Sequence, residues 1–248
     1  MSESRSFERS FDSLQAIFDF TAEAFALQGI PGELRPTVDL VLEELFTNMV
    51  KYGRGGDGAV RIELSAVAAG VEVTMVDHGA ARFDVTQAPD VDTGLPIEQR
   101  NPGGLGLHLV KRLVDSIEYQ YRVEGRETLI RFKKTLARPE ARPAKEERET
   151  KMLAIDFGAE GVVVITGRLD AAQCPTAQSF LDKVQGTVTM DCSRLEYISS
   201  AGLGVLLKTQ KRLMAGSGKL RLSGINRHLQ DIFQYSGFDQ IFEIELAR

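Results

Sequence analysis

Apolar residues in the first half of the chain recur with both helical and strand periods. The segment SLQAIFDFTAEAFALQG has helical spacing and ends at Gly29, which predicts a helix with a glycine stop. A second helix is predicted from about Glu33 to Tyr52. A strand is predicted near residues 7–11, and alternating patterns predict more strands at VRIELSAV, VEVTMVD, SIEYQYRV and TLIRFKK. These elements predict an α+β domain in which helices cover an antiparallel sheet.

The second half alternates strands with helices. Strands are predicted at VVVITG, TVTMDCS and KLRLSG, and helices around 175–184, around 201–215 and over NRHLQDIFQYSG, before a last short strand. This βαβαβα order predicts a small α/β domain. Between the halves, the strand-like RFKKTL and MLAIDF flank ARPEARPAKEERETK, which is charged and lacks large apolar residues. Residues 137–151 are therefore predicted to be a linker between domains 1–136 and 152–248.

Composition removes several function classes. The net charge of the 248 residues is −5, which argues against direct binding of nucleic acid. No apolar run reaches about 18 residues and the first residues are polar, so neither a membrane span nor a secretory signal is expected. A cytoplasmic protein is the expectation. Cys174 and Cys192 are not in a CxxC or Cys/His cluster, so we expect core residues rather than a zinc site.

Glycines cluster where a helix is predicted to begin, in NPGGLGLHLVKRLVD at residues 101–115. Backbone N–H groups at a helix start can bind phosphate, and Gly104 and Gly106 leave room for it. Ordinary helix capping explains the same pattern, and the segment alone does not choose between them. The chain matches neither the GxxxxGK[ST] nor the GxGxxG phosphate-binding pattern.

Two further segments carry candidate chemistry. In LEELFTNMVKYG, Glu44 and Asn48 share a helix face, where oxygen donors suit Mg²⁺ and a carboxylate can accept a proton. A solvated polar face is the alternative. In VTMVDHGAARF, Asp77 ends an apolar strand and could accept a hydrogen bond from an adenine amino group, with Gly79 leaving room for the ring. An ordinary strand-to-loop turn is the alternative there. Residues 79–103 form a long predicted loop, as lids do.

The three segments E-x-x-x-N, D-x-G-x-x-F and G-x-G occur in this order in the first domain. The domain thereby resembles the GHKL (Bergerat) ATP-binding fold, an α+β sandwich shared by histidine kinases and gyrase-type ATPases. Within it, the domain is most similar to the anti-sigma-factor serine kinases of bacterial partner-switching systems. The resemblance implies ATP and Mg²⁺ as ligands, with Glu44 as catalytic base and Asn48 as Mg²⁺ ligand.

The resemblance also implies the other ATP-binding residues. They are Asp77, Gly79 and Thr128 for adenine, Gly104 and Gly106 for the phosphates, and Arg100, in the lid at 80–103, for the terminal phosphate. His78 and His108 are not phosphoacceptor candidates by position. The chain lacks the His-bearing dimerisation helix of a sensor kinase, which argues against that branch of the fold.

A serine precedes an apolar helix in the second domain, in MDCSRLEYISSAGLG. Ser199 or Ser200 is expected to cap that helix. This domain resembles STAS domains of anti-sigma-factor antagonists through GRLD at 167–170, ISSAGLG and SGF at 236–238. The resemblance implies Ser200, two residues before Gly202, as the phosphoacceptor. Ser199 stands where one common version has Asp, so Ser199 remains the second candidate.

Together the resemblances predict an ATP/Mg²⁺-dependent protein-serine kinase fused to an antagonist-type STAS domain. Such a partner switch would regulate a sigma factor or analogous client, with a serine phosphatase as a further partner and a homodimer as the expected assembly. The phosphoacceptor would be the fused domain or a separate STAS antagonist. The alternative is a nucleotide-gated binding protein whose STAS domain docks on the kinase domain without efficient phosphoryl transfer.

Overall fold

The computed structural model describes residues 2–52, 58–78, 84, 92, 95–99, 104–124, 126–136 and 152–246. These residues fall into two compact units. The second unit joins residues 152–246 to the described residues between 90 and 109, and the first contains the others. The predicted linker at 137–151 lies outside the described residues. No helix in the described part of the chain is long and apolar enough to cross a membrane.

An antiparallel sheet of five strands, in the order β1-β2-β3-β5-β4, forms the centre of the first unit. Its strands are β1 (Ser2–Glu8), β2 (Ala59–Val67), β3 (Gly70–His78), β4 (Ser116–Arg122) and β5 (Glu127–Thr135). This sheet confirms the antiparallel arrangement that the alternating patterns predict.

One face of this sheet is apolar and fully buried. Its side chains on the three central strands are Val60, Ile62 and Leu64 of β2, Val71, Val73 and Met75 of β3, and Ile130 and Phe132 of β5. Residues directly opposite one another in antiparallel strands share a face. The register pairs Val60 with Asp77 and Asp77 with Thr128. Asp77 and Thr128 are therefore polar residues on the same buried face as these apolar side chains.

Helices α1 (Leu14–Gln28) and α2 (Arg35–Tyr52) belong to the first unit, and α1 contacts β1 and β2. The predicted stop is confirmed, because Gly29 has a φ of 62° and donates its N–H to carbonyls of the last turn. The two helices are linked by a buried hydrogen bond of 2.7 Å from Thr21 Oγ1 to Asp39 Oδ1. A third helix, α3 (Leu105–Leu113), follows the glycine-rich segment.

The second unit contains a sheet in the order β10-β9-β8-β7-β6, in which β7 to β10 run parallel and β6 is antiparallel to β7. The strands are β6 (Ala154–Phe157), β7 (Val163–Leu169), β8 (Val188–Ile198), β9 (Leu220–Ile225) and β10 (Glu243–Leu246). The helices between the parallel strands are α4 (Cys174–Leu181), α5 (Ser200–Ala215) and α6 (Arg227–Tyr235). The alternation of strands and helices predicted from the sequence is confirmed.

The first strand differs from its predicted position. The strand predicted near residues 7–11 is β1, which ends at Glu8, and a short helical turn occupies Phe11–Ser13. The reason is a local cap, because the Ser10 hydroxyl accepts a hydrogen bond from the Asp12 N–H and favours the turn.

A second difference concerns β8, predicted to end at Ser193. It continues to Ile198 because Leu195 and Tyr197, two residues apart, are both buried on one face of the strand.

Candidate active site

Asp77 and Thr128 face each other across β3 and β5. Asp77 is 1% exposed and Thr128 5% exposed, and they are directly paired in the register. Asp77 precedes the last residue of β3, so it belongs to the strand and not to a following turn. The Thr128 Oγ1 is buried and has no hydrogen-bond partner within the described residues. A buried hydroxyl of this kind is costly unless a ligand or water bonds to it.

A third polar residue, which is not among the predicted site residues, contacts Asp77. Arg9 follows β1, and its Nη1 lies 3.2 Å from Asp77 Oδ2. The exposed fractions of the two side chains are 8% and 1%, so the ion pair is buried. The sequence signal that could have identified Arg9 is its spacing from Phe7. Phe7 is buried, and Arg9 lies two residues beyond it, the spacing that places two residues on one face of an extended chain. Its partner, 68 residues away, depends on strand pairing that no local pattern reveals.

Glu44 and Asn48 lie one turn apart on α2. Apolar residues are buried around this helix, and Glu44 itself is only 6% exposed, whereas Asn48 is half-buried. Glu44 is therefore not part of a solvated polar face. A buried carboxylate and a partly accessible amide oxygen on one face fit the chemistry of a base beside a Mg²⁺ ligand.

The glycine segment is described only from Gly104 onwards. Gly104 has a φ of 90°, in the left-handed region that favours glycine, and directly precedes α3. Gly106 is the second residue of α3, and both glycines belong to the second compact unit. Gly79 and Arg100 lie outside the described residues, as does most of the predicted lid at 80–103. The described residues contain no cluster of three or more His, Cys, Asp or Glu side chains that could hold a metal ion.

The two candidate phosphoacceptors have different environments at the start of α5. Ser199 is fully buried and is the N-cap, because its Oγ accepts the Gly202 N–H at 3.2 Å and lies 3.3 Å from the Leu169 carbonyl oxygen. Ser200 is the first residue of the helix and is half-buried. The capping role thus belongs to Ser199, and Ser200 is the more accessible hydroxyl.

Gly202 is required by close packing at the same helix start. A Cβ at this position would lie 2.7 Å from the Leu169 carbonyl oxygen and 2.9 Å from Ile198 Cγ1. The glycine therefore lets α5 begin directly against the end of β7.

Arg168, Asp170 and Tyr197 are buried near the carboxyl end of β7, and His228 is half-buried. The Arg168 guanidinium carbon lies 3.8 Å from the centroid of the Tyr197 ring. Burial, followed by the charge of Arg168, lowers the pKa of His228 to about 4. Burial raises the pKa of Asp170, while a hydrogen bond from the Gln173 N–H and the charge of Arg168 lower it.

The two cysteines differ in burial. Cys192 is buried, and burial raises the pKa of its thiol to about 12, as expected of a core residue. Cys174 is only half-buried, at the first position of α4.

Comparison with known proteins identifies both domains. The family described as the histidine kinase-like ATPase domain matches residues 7–134, just over half of the chain. The chain belongs to this family. The family described as Mlab, STAS domain, matches residues 155–246 of the second domain. The chain therefore combines a kinase-like ATPase domain, which implies nucleotide binding, with a STAS domain.

Three relatives are named as anti-sigma factor antagonists or as a serine/threonine-protein kinase. The chain is 41% identical over 68 residues to a protein of Bordetella bronchiseptica named as an anti-sigma factor antagonist, BtrV. It is 31% identical over 93 residues to the serine/threonine-protein kinase BtrW of the same organism. These matches cover 27% and 37% of this chain, and the chain spans 59% and 65% of the two relatives.

The third relative is an anti-sigma-B factor antagonist of Listeria monocytogenes. It is 30% identical over 87 residues, which are 34% of this chain and 76% of the relative. The STAS domain is thus of the antagonist type, and kinase-like and antagonist-like domains occur together in one chain.

Proposed function

We propose that the chain is an ATP- and Mg²⁺-dependent protein-serine kinase whose fused STAS domain is its phosphoacceptor or docking partner. The observation that carries this proposal is the buried pair of Asp77 and Thr128 on the core face of the ATPase domain. The Asp77 carboxylate would accept a hydrogen bond from the adenine amino group. The Thr128 hydroxyl, which has no hydrogen-bond partner in the part of the chain that the structure describes, would supply a second polar contact to the base or its bound water.

The residues of α2 fit the remaining chemistry. The amide oxygen of Asn48 would hold Mg²⁺ together with the nucleotide's phosphates, and the ion would neutralise phosphate charge when bound. Glu44, one turn away, would act as general base or orient the acceptor hydroxyl.

The reaction would transfer one phosphoryl group to Ser200. Glu44 accepts the hydroxyl proton, the Ser200 Oγ bonds to the γ-phosphorus, the bond from that phosphorus to the bridging oxygen breaks, and ADP leaves. The half-buried position of Ser200 at the start of α5 supports it over the fully buried Ser199. A phosphate there would be stabilised by the helix dipole and would add about two negative charges.

The fusion would serve a partner switch. Tethering through residues 137–151 raises the effective concentration of the acceptor at the kinase site if the linker spans the two. The names of the Bordetella and Listeria relatives support a sigma factor or analogous client as the partner. A serine phosphatase that reverses the modification, a separate STAS antagonist and a homodimer complete the proposed set of partners.

The test is the intact mass of the full chain before and after incubation with Mg²⁺-ATP. We expect a gain of one phosphoryl group that is lost in Glu44→Ala and in Ser200→Ala. The matched controls are Glu33→Ala and Ser193→Ala, which change exposed residues and should keep the gain. No gain in a wild-type chain that still binds ATP would overturn the proposal that the chain phosphorylates its own STAS domain and would favour nucleotide-gated docking without transfer.

A further inference from the structure

We propose that Arg9 is the positioning residue that orients the Asp77 carboxylate for the base of the nucleotide and thereby sets the preference for adenine. This inference rests on the proposed function, because it assumes that Asp77 faces the base. Its basis is the buried contact of 3.2 Å between Arg9 Nη1 and Asp77 Oδ2.

The sheet brings Arg9 to this place from a distant part of the chain. Strand β1 pairs with β2, so Phe7 lies opposite Val60, which in turn lies opposite Asp77. Two residues after Phe7, the backbone N–H of Arg9 donates to the Gly58 carbonyl, just before β2 begins. Arg9 is therefore fixed at the end of the outer strand, and its side chain reaches across β2 to the carboxylate on β3.

The contact has a chemical consequence for recognition of a base. A guanidinium held against one carboxylate oxygen fixes the orientation of the group and compensates its buried charge. An ionised carboxylate is an acceptor only, so it favours a base with an amino group at this edge. A base with a carbonyl oxygen in the same place, as in hypoxanthine or guanine, would bring two acceptors together.

An arginine of β1, four residues before Arg9, shows what an ordinary ion pair looks like. Arg5 pairs with Glu23 of α1 at 2.8 Å, but the two side chains are 48% and 57% exposed. Such a pair contributes little and is screened by water. Arg5 therefore supplies a matched control, because it is the same residue type four residues earlier in the chain but has no buried acceptor.

The experiment measures dissociation constants of ADP and inosine 5′-diphosphate for the full chain by titration calorimetry with Mg²⁺. We expect the wild type to prefer ADP. Arg9→Met should reduce that preference about ten- to hundredfold, the range of one charge-assisted hydrogen bond. Arg9→Lys keeps the charge but loses the planar fork, so its preference should fall between the two, at least about threefold below wild type. Arg5→Met should leave the preference unchanged.

The ratio of the two constants separates positioning from a structural role. An arginine that only stabilised the fold would change both affinities together and leave the ratio at the wild-type value. A folded Arg9→Met variant with that ratio overturns the inference. If circular dichroism shows that Arg9→Met is unfolded, the Arg9→Lys variant decides, and an unchanged ratio there overturns it. A wild type that binds no ADP overturns the proposed function itself, whereas ADP binding that ignores Arg9 overturns only this inference.

Discussion

Among the described residues, each domain has an arginine near the end of a strand whose side chain is largely buried, but the two arginines have different contacts. Arg9 of the ATPase domain touches a buried carboxylate, with 3.2 Å between its Nη1 and Asp77 Oδ2. Arg168 of the STAS domain lies over the Tyr197 ring at 3.8 Å. The first contact joins two opposite charges and the second joins a charge to an aromatic face. The direct contact of Arg9 is therefore with a carboxylate, whereas Arg168 contacts an aromatic ring and acts on Asp170 through its charge.

The acidic residues differ in the same way. Asp77 directs an oxygen to a guanidinium, whereas Asp170 accepts the backbone N–H of Gln173 at 3.1 Å, ahead of α4. Desolvation raises the pKa of Asp170 despite the nearby charge of Arg168. Under the proposed function the buried carboxylate of the ATPase domain would meet a ligand, whereas that of the STAS domain accepts a hydrogen bond within its own turn.

The largest expected effect is a difference in how much each arginine contributes to the stability of its own domain. Arg9→Met removes a cation in contact with a buried carboxylate, so the free energy of unfolding of the ATPase domain should fall by about 3–5 kcal/mol. Arg168→Met loses a cation–π contact and a favourable charge near Asp170, but Asp170 keeps the hydrogen bond from the Gln173 N–H, so the cost to the STAS domain should be smaller, about 2 kcal/mol. Hydrogen exchange in urea, followed by mass spectrometry, resolves the two domains. An equal loss in free energy of unfolding for the two variants would contradict the difference between the two arginines.

The second effect concerns pH and the STAS domain alone. The pKa of His228 is about 4 in the folded chain and about 6.5 when unfolded. The unfolded state therefore binds more protons between these values, and stability must fall as pH decreases through this window. From pH 7 to 4.5 the loss should be about 2–3 kcal/mol.

The control for this pH dependence is His228→Gln, which has no imidazole to protonate. The raised pKa of Asp170 acts with the opposite sign, because the folded state then holds the extra proton. The difference between the two chains isolates the histidine. Identical pH profiles for the STAS domain would show that His228 is not the group responsible.

The third effect concerns the close packing of Gly202 at the start of α5. Gly202→Ala places a methyl group 2.7 Å from the Leu169 carbonyl oxygen, and overpacking of this kind costs about 1–3 kcal/mol. Gly216→Ala, at the other end of α5, meets only an ordinary contact of 3.5 Å. It should change stability little. A Gly202→Ala variant as stable as Gly216→Ala would contradict the close packing.

The smallest effect distinguishes the two serines. Ser199→Ala removes the N-cap of α5 and should destabilise the STAS domain by about 1 kcal/mol. Ser200→Ala keeps the cap and should cost less, while abolishing phosphorylation in the proposed reaction. Urea unfolding and intact mass of both variants are the measurements. A larger cost for Ser200 would reverse the assignment of cap and acceptor.

The sequence was sufficient for both folds because local patterns determine most of their elements. Gly29 stops α1 where the apolar period ends, and the alternating apolar residues of β3 lead directly to Asp77. The errors lie where a local pattern competes with packing. The Ser10 cap ends β1 before its predicted end, and burial of Tyr197 extends β8 beyond its predicted end.

The candidate site was predictable only in its motif residues. Asp77, Thr128, Glu44 and Asn48 follow from resemblance, whereas their environments do not. Arg9 was missed because its importance comes from a partner 68 residues away. No period or spacing in a single sequence encodes which outer strand lies beside which inner one.

The position of β1 at the edge of its sheet, paired on one side to β2, has a thermodynamic consequence. An edge strand frays more readily than a central one. If Arg9 couples β1 to the base, bound nucleotide stabilises the strand by the same free energy by which the ordered strand strengthens nucleotide binding. Amide protons of β1 should then exchange more slowly when ADP is bound. The outer strand would act as a reporter of occupancy.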